Sequence, residues 1–228
     1  MKRVNLFLII LFLIILSSCS KVDNYSAPNA GITGSVIDNT TNLGIQTEQP
    51  NGFQIRLIEQ GYSNVIPLDF WGKADGSFKN TQLFANTYKV IPIQGPFLMP
   101  DTIVVPISGL TTVKFTVTPF MTVIASIPQV ISKNVVINYT LTKPAIITDN
   151  IIQCLTMAAK VPSVSNSVND YKVSHDLSGM TYPNIAAKQF SDTLKNLPSG
   201  SFYVRVGART SNGQSKYNYS QVFSIIIP

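Results

Sequence analysis

Imidazole, indole and thiol groups are scarce in this chain of 228 residues, which has one histidine, one tryptophan and two cysteines. A histidine-based metal site needs several imidazoles and a cysteine cluster needs several thiols, so neither is expected. Glutamate is as rare: Glu48 and Glu59 are the only two. Charged residues make up 12 % of the chain, and the lysines are spread singly rather than in blocks. Lys2 and Arg3 contribute two of the six net positive charges, leaving +4 for the rest. Without a basic stripe there is no footprint for nucleic acid. No Gly-x-Ser-x-Gly elbow, Walker pattern or dinucleotide glycine pattern occurs. His175 is the only imidazole base, and its neighbour Asp176 points away from it on any strand. Its Ser, Asp and Gly surroundings predict a loop. A glycosidase needs two carboxyls about 5–10 Å apart, which eleven acids can supply only through folding. The expectation is a chain that is not an enzyme, with no cofactor and no metal ligand set. Calcium is left open, although no Asp-x-Asp-x-Asp-Gly loop is present.

What is present begins with a leader. Met1-Lys2-Arg3 precedes an almost wholly apolar run from Val4 to Leu16, broken only by Asn5. Such a run is too short to cross a hydrocarbon layer of about 30 Å and has the length of a signal-peptide core. It ends in Leu16-Ser17-Ser18-Cys19, which resembles the bacterial lipobox. The resemblance implies cleavage before Cys19 and acylation of its thiol and new amine, a durable anchor at about 0.8 kcal/mol per buried methylene. Ser20 rather than Asp follows the cysteine, which in the sorting of Gram-negative lipoproteins implies the outer membrane. The single acid in Ser20-Lys21-Val22-Asp23 leaves cell-surface and periplasmic display both open. With Cys19 acylated, Cys154 has no disulfide partner. Its apolar run, Ile151 to Met157, predicts a buried core thiol with a raised pKa.

The expected organisation is residues 1–18 as signal peptide, 19–29 as lipid-anchored tether, 30–119 as a first domain and 120–228 as a second. Valine, isoleucine, threonine, tyrosine and phenylalanine recur in short runs between turn signals, the pattern of an all-β chain. In the first domain strands are predicted at Gly31–Ile37, Phe53–Leu57, Leu68–Lys73, Ser77–Lys79, Thr87–Ile91, Thr102–Ile107 and Thr112–Thr118. Asp75-Gly76 predicts a tight turn. In the second they are predicted at Met121–Ile127, Asn134–Leu141, Asn150–Met157, Phe202–Arg209 and Tyr219–Ile227. A turn of helix is allowed only at Ile185–Phe190.

Asp75-Gly76-Ser77-Phe78, followed by Leu83 to Val90 with its Tyr88-Lys89-Val90, is similar to the repeat of carboxypeptidase-regulatory-like, transthyretin-type sandwiches. Asn86-Thr87 stands where that repeat carries a glycine. Leu197-Pro198-Ser199-Gly200 leading into Phe202 to Val206 resembles a late strand of immunoglobulin and fibronectin-like sandwiches. The order of lipobox, Asp23-Asn24-Tyr25, regulatory-like sandwich, immunoglobulin-like sandwich and late Tyr217-Asn218-Tyr219-Ser220 resembles the DUF3823 family of lipoproteins. That resemblance implies two tandem β-sandwiches after a lipoprotein signal peptide. It also implies an outer-membrane setting beside starch-utilisation-type glycan importers, with an outer-membrane transporter and surface lipoproteins as partners.

Saccharide sites set flat aromatic rings against the apolar faces of pyranoses, flanked by hydrogen-bonding side chains. Trp71 is the best candidate. In Leu68-Asp69-Phe70-Trp71-Gly72-Lys73 it shares the polar face with Asp69 and Lys73, and Tyr62 in the preceding loop could join them. Covering of the indole by the second domain is the competing reading. Tyr217 and Tyr219 share parity with Phe223 and Ile225, which predicts core. Arg205 and Arg209 alternate against Val204, Val206 and Ala208, which predicts solvent exposure. The expected function is a lipid-anchored, non-catalytic accessory of glycan capture that binds polysaccharide, oligosaccharide or partner proteins. The alternative is a structural spacer or adhesion lipoprotein with no saccharide site.

Overall fold

The computed structural model describes residues 26–228, so the leader and Cys19 lie outside the described residues. Within them the chain is all-β, as two tandem sandwiches. The first is built from β1 (Ala30–Asp38), β2 (Gln54–Glu59), β3 (Leu68–Trp71), β4 (Ser77–Leu83), β5 (Asn86–Ile93), β6 (Ile103–Ile107) and β7 (Leu110–Val117). One sheet has the order β4-β1-β7, with β1 and β7 parallel, and the other has the order β3-β2-β5-β6. Ile55 and Leu57 of β2, Val90 of β5 and Ile32 and Val36 of β1 close on Phe53, Phe78 and Phe115 between the sheets. The Asp75-Gly76 turn forms as expected: Gly76 has φ +82°, and a Cβ there would meet Val36 O at 2.7 Å. Asn86, in place of the usual glycine, ties the start of β5 to the end of β2 by donating through Nδ2 to Glu59 Oε1 at 2.7 Å.

The second sandwich contains β8 (Thr122–Ala125), β9 (Gln129–Ile131), β10 (Asn134–Thr142), β11 (Ile151–Ala159), β12 (Tyr171–Asp176), a one-turn helix α1 (Tyr182–Ala186), β13 (Phe190–Leu194), β14 (Gly200–Thr210), β15 (Asn218–Tyr219) and β16 (Phe223–Ile227). Its sheets run β13-β10-β8, with β9 also on β10, and β12-β11-β14-β15, with β16 also on β14. No disulfide braces it. Each fully buried Val, Ile, Leu or Phe contributes about 1.5–3 kcal/mol, so one or two of the many here match what a bridge supplies. The helix lies earlier than Ile185–Phe190 because Pro183 fits its first turn, while Phe190 opens a strand.

Three expectations are corrected here. His175 lies in strand β12, opposite Cys154, and not in a loop. Arg205 is 1 % exposed, and Arg209 is only partly exposed. Tyr217 and Tyr219 are buried, but not with Phe223 and Ile225. Tyr219 pairs with Gly207 and Phe223 with Val204, so the register moves by one residue between β15 and β16. That slip reverses the faces. Phe223 and Ile225 enter the main core, while both tyrosines join Leu155, Met157 and Val164 on the outer side of the sheet.

Candidate functional site

Trp71 ends edge strand β3, with Gln54 as its cross-strand partner. Its side chain is on the outer face, because Phe70 turns inward against Phe78. The indole is 40 % exposed. The second sandwich reaches it through Lys216, whose Nζ lies 5.8 Å from the ring centroid and donates to Asn51 O at 2.5 Å. Trp71 is thus open along a seam between the two domains, and it is not sealed under the second.

The other three expected residues divide. Asp69 is on the same face as Trp71, but both its oxygens are taken, Oδ1 by Arg56 Nε at 2.8 Å and Oδ2 by Arg56 Nη2 at 2.7 Å. Those hydrogen bonds hold the Asp69 carboxyl below the usual carboxylate range. The pair presents a fixed polar edge. Lys73 is exposed just beyond the strand. Tyr62 is elsewhere, in the loop after Glu59. Gln54 and Glu59 are five residues apart on β2, about 17 Å at 3.4 Å per residue, so Tyr62 sits at the opposite end of the hairpin from Trp71.

The seam is organised by Arg205, expected on a solvent-facing side, and Tyr219, expected in the main core. Arg205 Nη1 donates to Thr47 O at 2.8 Å, Nη2 to Gln46 Oε1 at 3.2 Å and Nε to Ser220 O at 2.8 Å. Its guanidinium lies 4.5 Å from the Tyr219 ring centroid. Burial pushes the Arg205 pKa down to about 10. The Tyr219 hydroxyl donates to Glu48 Oε2 at 3.3 Å, and burial moves its pKa upward. Asn218 Nδ2 donates to Pro96 O at 2.9 Å. A signal was available in the sequence: an arginine in the middle of a long strand run, and one of only two glutamates in a loop. Period-two alternation alone assigned that face to solvent.

On one side of this joint is a cleft of about 500 Å³, lined by Asp38, Ile45, Gln46, Met121, Val123 and Asn218 among others. This size suits a small ligand, and domain joints are common places for such clefts. Among the described residues, Asn218 Oδ1 is the one buried side-chain polar atom without a hydrogen-bond partner.

A third cluster is internal to the second sandwich. The buried Asp192 accepts from Tyr139 Oη at 3.0 Å and Thr156 Oγ1 at 2.5 Å, and its Oδ1 lies 2.6 Å from His175 Nε2. Tyr139 Oη is also 3.2 Å from Cys154 Sγ. Burial pushes the Cys154 thiol up to about 11 and moves the Tyr139 hydroxyl upward as well. A buried, protonated thiol is a poor nucleophile, and the hydrogen bonds of this network join β10 and β13 of one sheet to β11 and β12 of the other. Among the described residues no group of three or more His, Cys, Asp or Glu side chains is placed to hold a metal ion.

Residues 30–118 match the family model described as protein of unknown function (DUF3823) N-terminal domain. A DUF3823 family protein from Bacteroides uniformis superposes with a TM-score of 0.76 at 25 % identity, over 88 % of this chain and all of that one. A DUF3823 family protein from Parabacteroides merdae gives 0.73 at 18 % identity, over 88 % of this chain and all of that one. A second Bacteroides uniformis protein, whose description proposes carbohydrate binding, gives 0.73 at 21 % identity, over 87 % of this chain and 99 % of that one. No curated protein matches the chain.

Proposed function

We propose, for a chain whose N-terminal sandwich is a DUF3823 N-terminal domain, that it serves as a lipid-anchored, non-catalytic accessory of an outer-membrane glycan capture system. Saccharide is taken at the seam between its sandwiches, beside an outer-membrane transporter and other surface lipoproteins. The observation that carries this reading is the open indole of Trp71, 40 % exposed between the two domains. Its apolar face can stack on the C–H face of a pyranose. Gln54 across the strand, the Arg56–Asp69 pair and Lys216 offer donors and acceptors for hydroxyls. A relative of the same fold that is described in terms of carbohydrate binding supports the same class of ligand.

The test is a glycan array and affinity-gel screen of a soluble chain starting at Lys21, beside its Trp71→Ala variant. The expected result is binding that weakens at least about tenfold, or 1.4 kcal/mol, in the variant while its fold persists. No glycan bound by the parent chain, or equal binding by both, overturns the proposal.

A further inference from the structure

The end of the first sandwich at which the chain enters is unlike the end that meets the second sandwich. Ala30 pairs with Leu83 and Gly31 with Leu110, so the β4–β5 and β6–β7 turns gather around the start of β1. Glu59 pairs with Tyr88, which brings the β2–β3 loop, residues 60–67, to the same end. Hydrogen bonds hold the group together. Gly31 N donates to Gly109 O at 2.7 Å, Gln60 N to Thr87 O at 2.9 Å and Tyr88 Oη to Phe84 O at 2.9 Å.

These connections expose large apolar side chains. Ile66 is 90 % exposed and Tyr62 67 %, and Leu68, Phe84 and Leu110 are exposed beside them. The loop and the two turns, residues 60–67, 84–85 and 108–109, contain no charged residue at all. Exposed apolar side chains scattered singly are ordinary, but here they are gathered. Several uncharged, apolar tips on one pole mark a surface meant to leave water.

We propose that this pole of the first sandwich rests on a lipid bilayer, with Ile66, Phe84 and Leu110 entering the headgroup boundary and Tyr62 at its level. The point at which the chain enters favours lipid over a protein partner. Only ten residues, Ser20 to Asn29, separate Cys19 from Ala30, a reach of at most about 40 Å. This step rests on the lipid-anchor reading, which keeps the pole within that reach of a membrane. Aromatic and aliphatic tips without charge suit the depth of 5–10 Å at which peripheral elements insert. β1 then leads away from the bilayer to Asp38 at the interdomain cleft, about 27 Å farther on. The second sandwich and the Trp71 seam are thereby held outward.

The experiment uses the full acylated chain in phosphatidylethanolamine–phosphatidylglycerol vesicles whose acyl chains are brominated, a short-range quencher of indole. The native chain reports from Trp71, and a Trp71→Phe/Phe84→Trp chain reports from the pole. The expected result is emission from position 84 falling to less than about half, with Trp71 unaffected, as insertion to 5–10 Å requires. Equal quenching at both positions, or none at either, overturns the proposal and leaves the pole to a protein partner. A Trp71→Phe/Ile66→Trp chain asks the same question from a separate loop should the first variant fail to fold. The mass of the N-terminal peptide reports acylation independently. Quenching at the pole of an unacylated chain would refute the anchor and support the pole.

Discussion

Asp192 is a carboxylate between two sheets with almost no access to water, and its neighbours decide whether that position is tolerable. Tyr139 and Thr156 donate to one oxygen, and His175 meets the other. A buried carboxylate deprived of a donor loses about 1–3 kcal/mol for each unmade bond. Tyr139→Phe keeps the ring, which stacks on Phe190 at 5.1 Å between centroids, and removes only the hydroxyl. The expected loss is about 1–3 kcal/mol in urea unfolding at neutral pH. A midpoint unchanged from the parent chain would show that the Tyr139–Asp192 bond contributes nothing net. The same residues explain why two strands escaped the sequence reading. β13 turns Phe190, Asp192 and Leu194 inward, and β12 turns Tyr171, Val173 and His175 inward. A carboxylate and an imidazole on the buried side break the apolar alternation by which a strand is recognised.

At the scale of the element, turns were legible and registers were not. Asp75-Gly76 is read directly, because a glycine with positive φ after a short carboxylate is local chemistry. The Asp75 carboxylate accepts from Ser77 N at 3.0 Å and Ser77 Oγ at 2.7 Å. Burial works upward on its pKa, but the bonds from Ser77 outweigh it and leave the group below its ordinary value of 3.8. Its contribution to stability is therefore fully present above pH 3.8 and is lost as pH falls through the lower folded-state value. Asp75→Asn is expected to cost less than about 1 kcal/mol at pH 7, since solvent screens much of the charge. Urea midpoints of the two proteins should converge near pH 2, and a gap that stays constant between pH 7 and pH 2 would refute the ionic contribution. The β15–β16 slip has no such local signature. Tyr217 and Tyr219 keep parity with Phe223 in the sequence, and only pairing on β14 reveals that one residue has been absorbed between them. Alternation assigns a face only while the register runs unbroken.

At the scale of the whole molecule, the two-sandwich order could be read from strand spacing and the regulatory-like repeat, but the joint could not. It depends on groups 158 residues apart, Arg205 and the Thr47 carbonyl, that no local pattern connects. The joint also determines what the Trp71 seam is, since Lys216 reaches the indole only if the second sandwich is held against the β1–β2 loop. Arg205 is the strongest of these ties. It crosses to two acceptors of the first sandwich while keeping a third, Ser220 O, in its own. Removing it leaves buried carbonyls unpaired at about 1–3 kcal/mol each and opens space beside Tyr219. Arg205→Ala is therefore expected to lower stability by about 3 kcal/mol, or about 10 °C in Tm for a chain of this size. It should also divide the calorimetric unfolding of the native chain from one transition into two, because the sandwiches keep separate cores and lose the strongest of the contacts that couple them. The seam would lose its fixed lysine, so the emission of Trp71 should shift toward that of a more hydrated indole. A variant that still melts in one transition within about 2 °C of the native chain would show that the sandwiches are coupled elsewhere, through the Phe120–Pro96 and Asn218–Pro96 bonds.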